Sequence, residues 1–194
     1  MTYTIADLKI LDQVMNDIDL QLKDFNYIIP YEYNQEAYSP RLVNLLLTTC
    51  IVIERYCKIL QIECQLPEPD GNGGIRGVLR NLDGNGVLAN MKWTTSFNEE
   101  FQPFDGTYAW WQMYNDTKHE ETFSITDVKY RQVVTAILAL HSLQRLAWAK
   151  LTTNWTKLNG MDLLDIEKWD EESDLSWSTR HGLFHTYSGP KKER

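Results

Sequence analysis

The side chains that could do chemistry are concentrated in one short segment near the middle of the chain. They are an indole, a phenol, an amide, an ammonium and an imidazole, which belong to Trp111, Tyr114, Asn115, Lys118 and His119. On a helix, residues four apart share a face, so the indole, the amide and the imidazole align and the other two groups lie beside them. An ammonium with an amide could hold a phosphate, and an imidazole is suited to moving a proton near neutral pH. His119 and Asn115 are therefore candidate catalytic residues, and Lys118, Tyr114 and Trp111 are candidate binding residues.

Packing alone also explains the same spacing. In that interpretation Trp111 belongs to the core, and Asn115 and His119 satisfy buried backbone groups at the end of a helix. Lys118 would then be solvated. The spacing itself leaves both interpretations open.

Three long amphipathic helices are predicted to hold this segment. Apolar residues recur at steps of three and four over residues 5–25, which predicts the first helix. Ser39 is the predicted N-cap of a second helix, which extends to about Leu60. The third is predicted over residues 125–150, with Thr126 as its cap.

The remaining segments are predicted to be shorter and less regular. Residues 66–86 are rich in glycine and proline, which indicates turns around a short helix, and residues 108–119 form a second short helix. Residues 93–104 are predicted to be an irregular aromatic segment, and no segment alternates with a period of two. The predicted fold is all-α, an antiparallel bundle of three long and about two short helices. An aromatic, acidic C-terminal tail, residues 152–194, is expected to pack on this core (residues 5–151) within a single domain, residues 1–194.

Length and charge limit the possible functions. The chain has 194 residues and a net charge of -8, which fits one soluble domain whose overall charge repels polyanions. Binding of RNA or of an acidic membrane would need a local basic pocket. No secretory signal or span of ~20 apolar residues is evident, so a cytoplasmic protein with no membrane contact is expected.

The three cysteines are expected to be reduced core thiols. Cys50, Cys57 and Cys64 are seven residues apart, a helical spacing of about 10 Å that is too long for a disulfide. No metal and no cofactor is expected.

Several short motifs in order resemble those of HEPN-type helical proteins, bacterial domains related to abortive-infection and toxin ribonucleases. The resemblance spans residues 42–151. It is carried by the Ser-Pro-Arg-Leu-Val-Asn-Leu-Leu-Leu helix with Glu54 near its end, by Phe101-Gln-Pro-Phe104, by Trp110-Trp111 with Tyr114-Asn115 and Lys118-His119, and by the apolar residues 133–143.

The resemblance implies a metal-independent site with one residue changed. Ribonucleases of the family carry an Arg, usually followed by a polar residue, and a His four to six positions after the Arg. Asn115 and His119 match this motif, but Tyr114 occupies the place of the Arg. A phenol has no permanent charge with which to stabilise a developing phosphate charge, so Lys118 or Arg180 would have to supply it. Arg180 forms a second Arg-x4-His string with His185 in the tail.

Three functions follow from this resemblance and its departure. The first is a HEPN-like module without catalysis that binds RNA, a nucleotide or a partner protein, in a phage-defence or toxin-antitoxin setting. The second is an active metal-independent endoribonuclease that uses His119. The third is a protein of assembly or interaction only. The resemblance also implies a homodimer with the two His119 faces near its two-fold axis.

Overall fold

The computed structural model describes residues 3–69, 74–82, 88–89, 92–95, 99–119, 124–151 and 184–188. Within these ranges the chain forms five α-helices, two short 3-10 helices and three strands. The α-helices are α1 (Ile5–Ile28), α2 (Pro40–Glu63), α3 (Gly74–Leu82), α4 (Ala109–His119) and α5 (Tyr130–Leu151). The 3-10 helices are Tyr31–Tyr33 and Ile125–Asp127, and the strands are β1 (Lys92–Thr95), β2 (Glu100–Phe101) and β3 (Phe184–Ser188).

The all-α prediction is confirmed, with three long helices and two short ones. Helix α5 packs against α1, α2 and α4, and α3 packs against α2. None of the helices that the structure describes is long and apolar enough to cross a membrane.

The first two helices begin where their capping residues predict. Thr4 and Asp7 form a capping box at the start of α1, in which each side chain accepts a backbone N–H of the other residue. The hydroxyl of Ser39 accepts the N–H of Leu42 at 3.2 Å and caps α2, as predicted. Helix α1 continues to Ile28, three residues beyond the predicted end.

Two of the three cysteines lie on the buried side of α2, and the third, Cys64, is the C-cap of that helix. Cys50 and Cys57 are buried, Cys64 is half-buried and none of the three is in a disulfide. Burial raises the pKa of Cys50 and of Cys57, with a smaller contribution from the carboxylate of Glu54. Thiols that stay protonated pack as small apolar groups, in agreement with the prediction.

The predicted start of the third long helix, with Thr126 as its cap, is wrong. Ser124 and Asp127 form a capping box around the separate 3-10 helix, and Val128 is then extended. Helix α5 begins at Tyr130, where the Lys129 N–H donates to the side chain of Gln132 at 2.9 Å. The spacing of apolar residues cannot show whether this stretch contains one helix start or two, because the two starts lie only a few residues apart.

The segment predicted to be irregular contains two short strands. β1 pairs with β2 and with β3, both antiparallel, in the order β2-β1-β3. Trp93 lies opposite Phe101 in the register, and both side chains are buried. Strands of two to five residues are too short for an alternating pattern to be recognised.

Part of the predicted C-terminal tail returns to the core. β3 belongs to that tail, and its backbone pairs with β1 from Lys92↔Ser188 to Thr95↔Phe184. β3 therefore joins the tail to the small sheet, and packing of the tail on the helices stays a prediction. Residues 152–183, with Arg180, and residues 189–194 lie outside the described residues.

Candidate functional site

Helix α4, which carries the predicted site, is anchored at its N-terminal end. The carboxylate of Asp105 accepts the N–H and hydroxyl of Thr107 and the N–H of Tyr108, which fixes the turn before the helix. Gly106 in this turn has a φ of +88°, a conformation that glycine adopts without strain. The indole N–H of Trp110 then donates to the carbonyl of Pro103 at 2.7 Å.

The indole and the phenol of the predicted site belong to the core. The ring centroids of Trp111 and Tyr114 lie 4.9 Å apart, and both residues are buried where α4 packs against α2 and α5. For Trp111 this agrees with the packing interpretation. Tyr114 is only 2% exposed, so a ligand would reach little of its surface.

The hydroxyl of Tyr114 has a carboxylate partner on α2. It donates a 3.1 Å hydrogen bond to Oε1 of Glu54. Burial, together with the negative charge of Glu54, raises the pKa of Tyr114 to about 12. The phenol is therefore a neutral donor at physiological pH, and its proton is already engaged.

The polar end of α4 points to solvent. Lys118 and His119 are exposed, and Asn115 is half-buried. The ammonium of Lys118 lies 5.4 Å from the ring centroid of Tyr114, a cation–π arrangement. Among the described residues the imidazole of His119 makes no hydrogen bond or ion pair, so nothing described here orients it for proton transfer.

The predicted face thus runs from core to solvent along α4. The structure brings Tyr114, Lys118 and Glu54 together, and it leaves His119 on the surface one residue beyond Lys118. Both side chains lie at the C-terminal end of α4, where the partial negative charge of the helix stabilises the ammonium of Lys118 and weakens its attraction for a phosphate. Arg180 lies outside the described residues.

A cleft of about 310 Å³ lies at the opposite end of α4, beside Ala109 and Trp110. Among the residues that line this cleft, Arg131 is the one with a basic side chain. Its guanidinium pairs with Glu99 at 3.1 Å and lies 5.6 Å from the ring centroid of Phe101. The charge is therefore largely compensated. Within the described ranges, no three His, Cys, Asp or Glu side chains are placed to hold a metal ion.

Two carboxylates on α1 form polar contacts that the sequence analysis missed. Asp12 accepts hydrogen bonds from the Tyr56 hydroxyl at 3.1 Å, from the Gln144 amide at 2.7 Å and from the Trp148 indole at 2.8 Å. It thereby joins α1 to both α2 and α5. The position of Asp12 among the apolar residues of the inner face of α1 could have predicted that its side chain is a half-buried acceptor.

Asp19, seven residues after Asp12, is the second. It contacts Nε2 of His141 at 2.9 Å, and both side chains are buried. The ring of His141 lies 6.1 Å from that of Trp93, whose indole N–H donates to the hydroxyl of Ser142 at 3.1 Å. These polar groups satisfy one another inside the bundle, and their role is to position α1 and β1 on α5.

These observations define the class of the protein as an all-α helical bundle with a small antiparallel sheet and a half-exposed polar cluster at the end of α4. Comparison with protein-family models, with curated proteins and with solved structures gives no match for this chain.

We expect Asp12→Asn to lower the free energy of unfolding by about 1–3 kcal/mol, because an amide accepts more weakly and its own N–H groups face donors. Asp17→Asn removes the same charge from the exposed side of α1 and should change stability by less than about 0.5 kcal/mol. Urea denaturation measures both. Equal losses in the two variants would contradict a special role for Asp12.

Removing the hydroxyl of Tyr114 tests the bond to Glu54. Tyr114→Phe should cost about 1 kcal/mol of stability, because the carboxylate loses a donor that water replaces only in part. Tyr33→Phe makes the same chemical change on a ring that is 79% exposed and should cost almost nothing. Thermal and urea denaturation of the pair give the comparison, and an unchanged Tyr114→Phe variant would show that the bond contributes no stability.

Proposed function

We propose that this protein is a HEPN-like helical module that has lost ribonuclease chemistry and acts by binding a partner protein. The observation that carries the proposal is the hydrogen bond from the Tyr114 hydroxyl to Glu54. The family resemblance implies that an Arg would stand at the position of Tyr114 in an active ribonuclease. Here that position holds a buried, neutral donor that already has an acceptor.

Charge at the reacting phosphate is the requirement that the cluster fails to meet. Metal-independent cleavage of RNA needs a proton acceptor and a fixed positive charge close to the same phosphate. The ammonium of Lys118 is the nearest candidate, but it lies over the ring of Tyr114 at the negative end of α4. The pKa of about 12 for Tyr114 removes the phenolate as a base at physiological pH.

A protein is the ligand that the surface favours. The net charge of -8 repels RNA, and the exposed tyrosines suit a protein contact, because tyrosine is enriched at protein interfaces. Tyr27 is 90% exposed and Tyr33 is 79% exposed. Neither ring belongs to the polar cluster of α4, so a protein that contacts these tyrosines would not depend on that cluster.

The resemblance extends the proposal to the setting of the protein. A cytoplasmic role in phage defence or in a toxin-antitoxin pair would use such a module to recognise or restrain another protein. A homodimer with the His119 faces near the two-fold axis is part of the same proposal. Sedimentation at micromolar concentration would detect it, and a monomer would remove that part.

The second candidate function is a metal-independent endoribonuclease. It is favoured by one observation: His119 and Lys118 are both exposed at the same end of α4 and could reach an RNA backbone. Such an enzyme would need a fixed positive charge directed at the same phosphate as His119, and the ammonium of Lys118 lies over the ring of Tyr114 instead.

Cleavage of mixed RNA by the purified protein, with and without EDTA, distinguishes the two candidates. We expect wild type and His119→Ala to degrade RNA at the same background rate. His119 is exposed, so its variant should fold normally. An enzyme that used His119 for proton transfer would lose about 10²–10⁴-fold in rate on this substitution, and such a loss would refute the proposal.

Thermal denaturation with RNA at physiological salt completes the test. A ligand that prefers the folded state must raise the melting temperature. We expect no shift with RNA, and a clear increase would replace the partner protein with RNA as the ligand.

A further inference from the structure

The exposed surface of the segment from the last turn of α1 to the start of α2 carries aromatic rings and carboxylates. We call it the tyrosine face; its apolar members are Tyr27, Ile28, Tyr33 and Tyr38, and its acidic members are Glu32 and Glu36. All six residues are exposed. We infer that the tyrosine face binds an Arg- or Lys-rich peptide segment of a partner protein. The inference rests on the proposed binding function and identifies the chemistry of the partner.

The inner side of the segment that carries the exposed rings is anchored to the core. Asn26 accepts hydrogen bonds from the N–H of Tyr31 at 2.9 Å and from the hydroxyl of Tyr130 at 3.2 Å. Tyr31 is buried and packs edge-to-face on Tyr130, with ring centroids 5.0 Å apart. The outward rings therefore stand on a fixed backbone.

Two further bonds hold the segment to the start of α5. The N–H of Tyr130 donates to the carbonyl of Ala37 at 2.8 Å, and that of Arg131 donates to the carbonyl of Gln35 at 3.0 Å. These N–H groups have no partner inside their own helix. Because the backbone of this segment is held in place before binding, little backbone entropy is lost when a ligand docks.

The two carboxylates of the tyrosine face outnumber the one ammonium that lies over its rings, that of Lys129. Glu32 and Glu36 form no ion pair with the residues described, whereas the neighbouring Asp24 is paired with Arg41 at 3.8 Å. The last turn of α1 contains no basic residue, so the partial negative charge at its C-terminal end adds to that of the two carboxylates.

One ring of the face already holds a cation. The ammonium of Lys129 lies 5.2 Å from the ring centroid of Tyr38, in a cation–π arrangement. Tyr27 and Tyr33 are more exposed than Tyr38 and present further ring surface of the same kind. Rings flanked by carboxylates suit guanidinium and ammonium groups, which can contact a ring and pair with a carboxylate at once.

Charge complementarity favours a cationic peptide over RNA, an acidic lipid surface or a second copy of the chain. RNA and acidic lipid surfaces carry the same sign as the face and are repelled. A second copy of the chain would bring two negative faces together, since an isologous contact repeats each patch on both partners. A cationic peptide is attracted to both the rings and the carboxylates.

The test is binding of a fluorescent hexa-arginine peptide to the full chain, measured by anisotropy, with a hexa-glutamate peptide as the negative probe. We expect Tyr27→Ala/Tyr33→Ala to weaken binding about tenfold, because two cation–π contacts are lost. Ile10→Ala/Leu20→Ala removes two exposed apolar side chains elsewhere on α1 and should leave binding unchanged.

Charge-matched variants separate the face from general acidity. Glu32→Gln/Glu36→Gln and Asp17→Asn/Glu68→Gln remove the same charge, and all four residues are exposed. We expect only the first pair to weaken binding by more than about threefold, as nearby charges act within a Debye length of about 8 Å. Equal effects of the two variants, no binding of hexa-arginine, or binding of hexa-glutamate would each overturn the inference.

Sedimentation of wild type and Tyr27→Ala/Tyr33→Ala tests whether a second copy of the chain covers the tyrosine face. A dimer that dissociates in this variant would mean that a second copy covers the face, which also overturns the inference. The result is independent of the RNA assay: cleavage dependent on His119 would remove the proposed function and leave peptide binding standing. Failure of peptide binding without cleavage would remove only this inference.

Discussion

Burial of the central helix α5 on every side is the constraint on which the rest of the structure depends. Residues 136–143 are all buried, so this helix has no solvated face along two turns. A polar side chain in that stretch must find its hydrogen-bond partner inside the protein. His141 finds Asp19 on α1, and Ser142 accepts the indole N–H of Trp93 on β1.

These two contacts place the outer elements. Asp19 and Asp12 fix the rotation of α1, because both must face inward to meet their donors on α2 and α5. Trp93 does the same for the small sheet, which it connects to the interior through one buried bond. Polar contacts therefore decide which sides of α1 and β1 face α5, while apolar burial supplies most of the driving force.

Helix α4 is placed by the same core, and this determines what its polar end can do. Trp110, Trp111 and Tyr114 are drawn into the packing against α2 and α5, and the Tyr114 hydroxyl meets Glu54 there. Lys118 and His119 follow at the end of the helix, where the core no longer reaches. The cluster that looks uniform on a helical wheel is thus divided between an interior half and a solvent-facing half.

Much of this was predictable from the sequence, for physical reasons that also explain the failures. Apolar spacing predicts helices because a helix must bury one stripe, and Ser39 marks its own helix start. Asp12 and Asp19 were missed because charged residues between the apolar positions of a helix are ordinarily solvated. The exposed tyrosines were not distinguished from buried Tyr31, since exposure depends on tertiary contacts that local pattern does not contain.

The central claim is that Tyr114 is a neutral phenol bound to Glu54, at the position where the proposed resemblance would require a cation. The measurement that tests it most directly is the ionisation of the Tyr114 hydroxyl, followed by NMR of tyrosine-labelled protein and assigned with Tyr114→Phe. The account predicts a pKa near 12, because burial and the Glu54 carboxylate both oppose the phenolate. A pKa at or below the ordinary value of about 10 would contradict it, since the hydroxyl would then be neither buried nor engaged with Glu54.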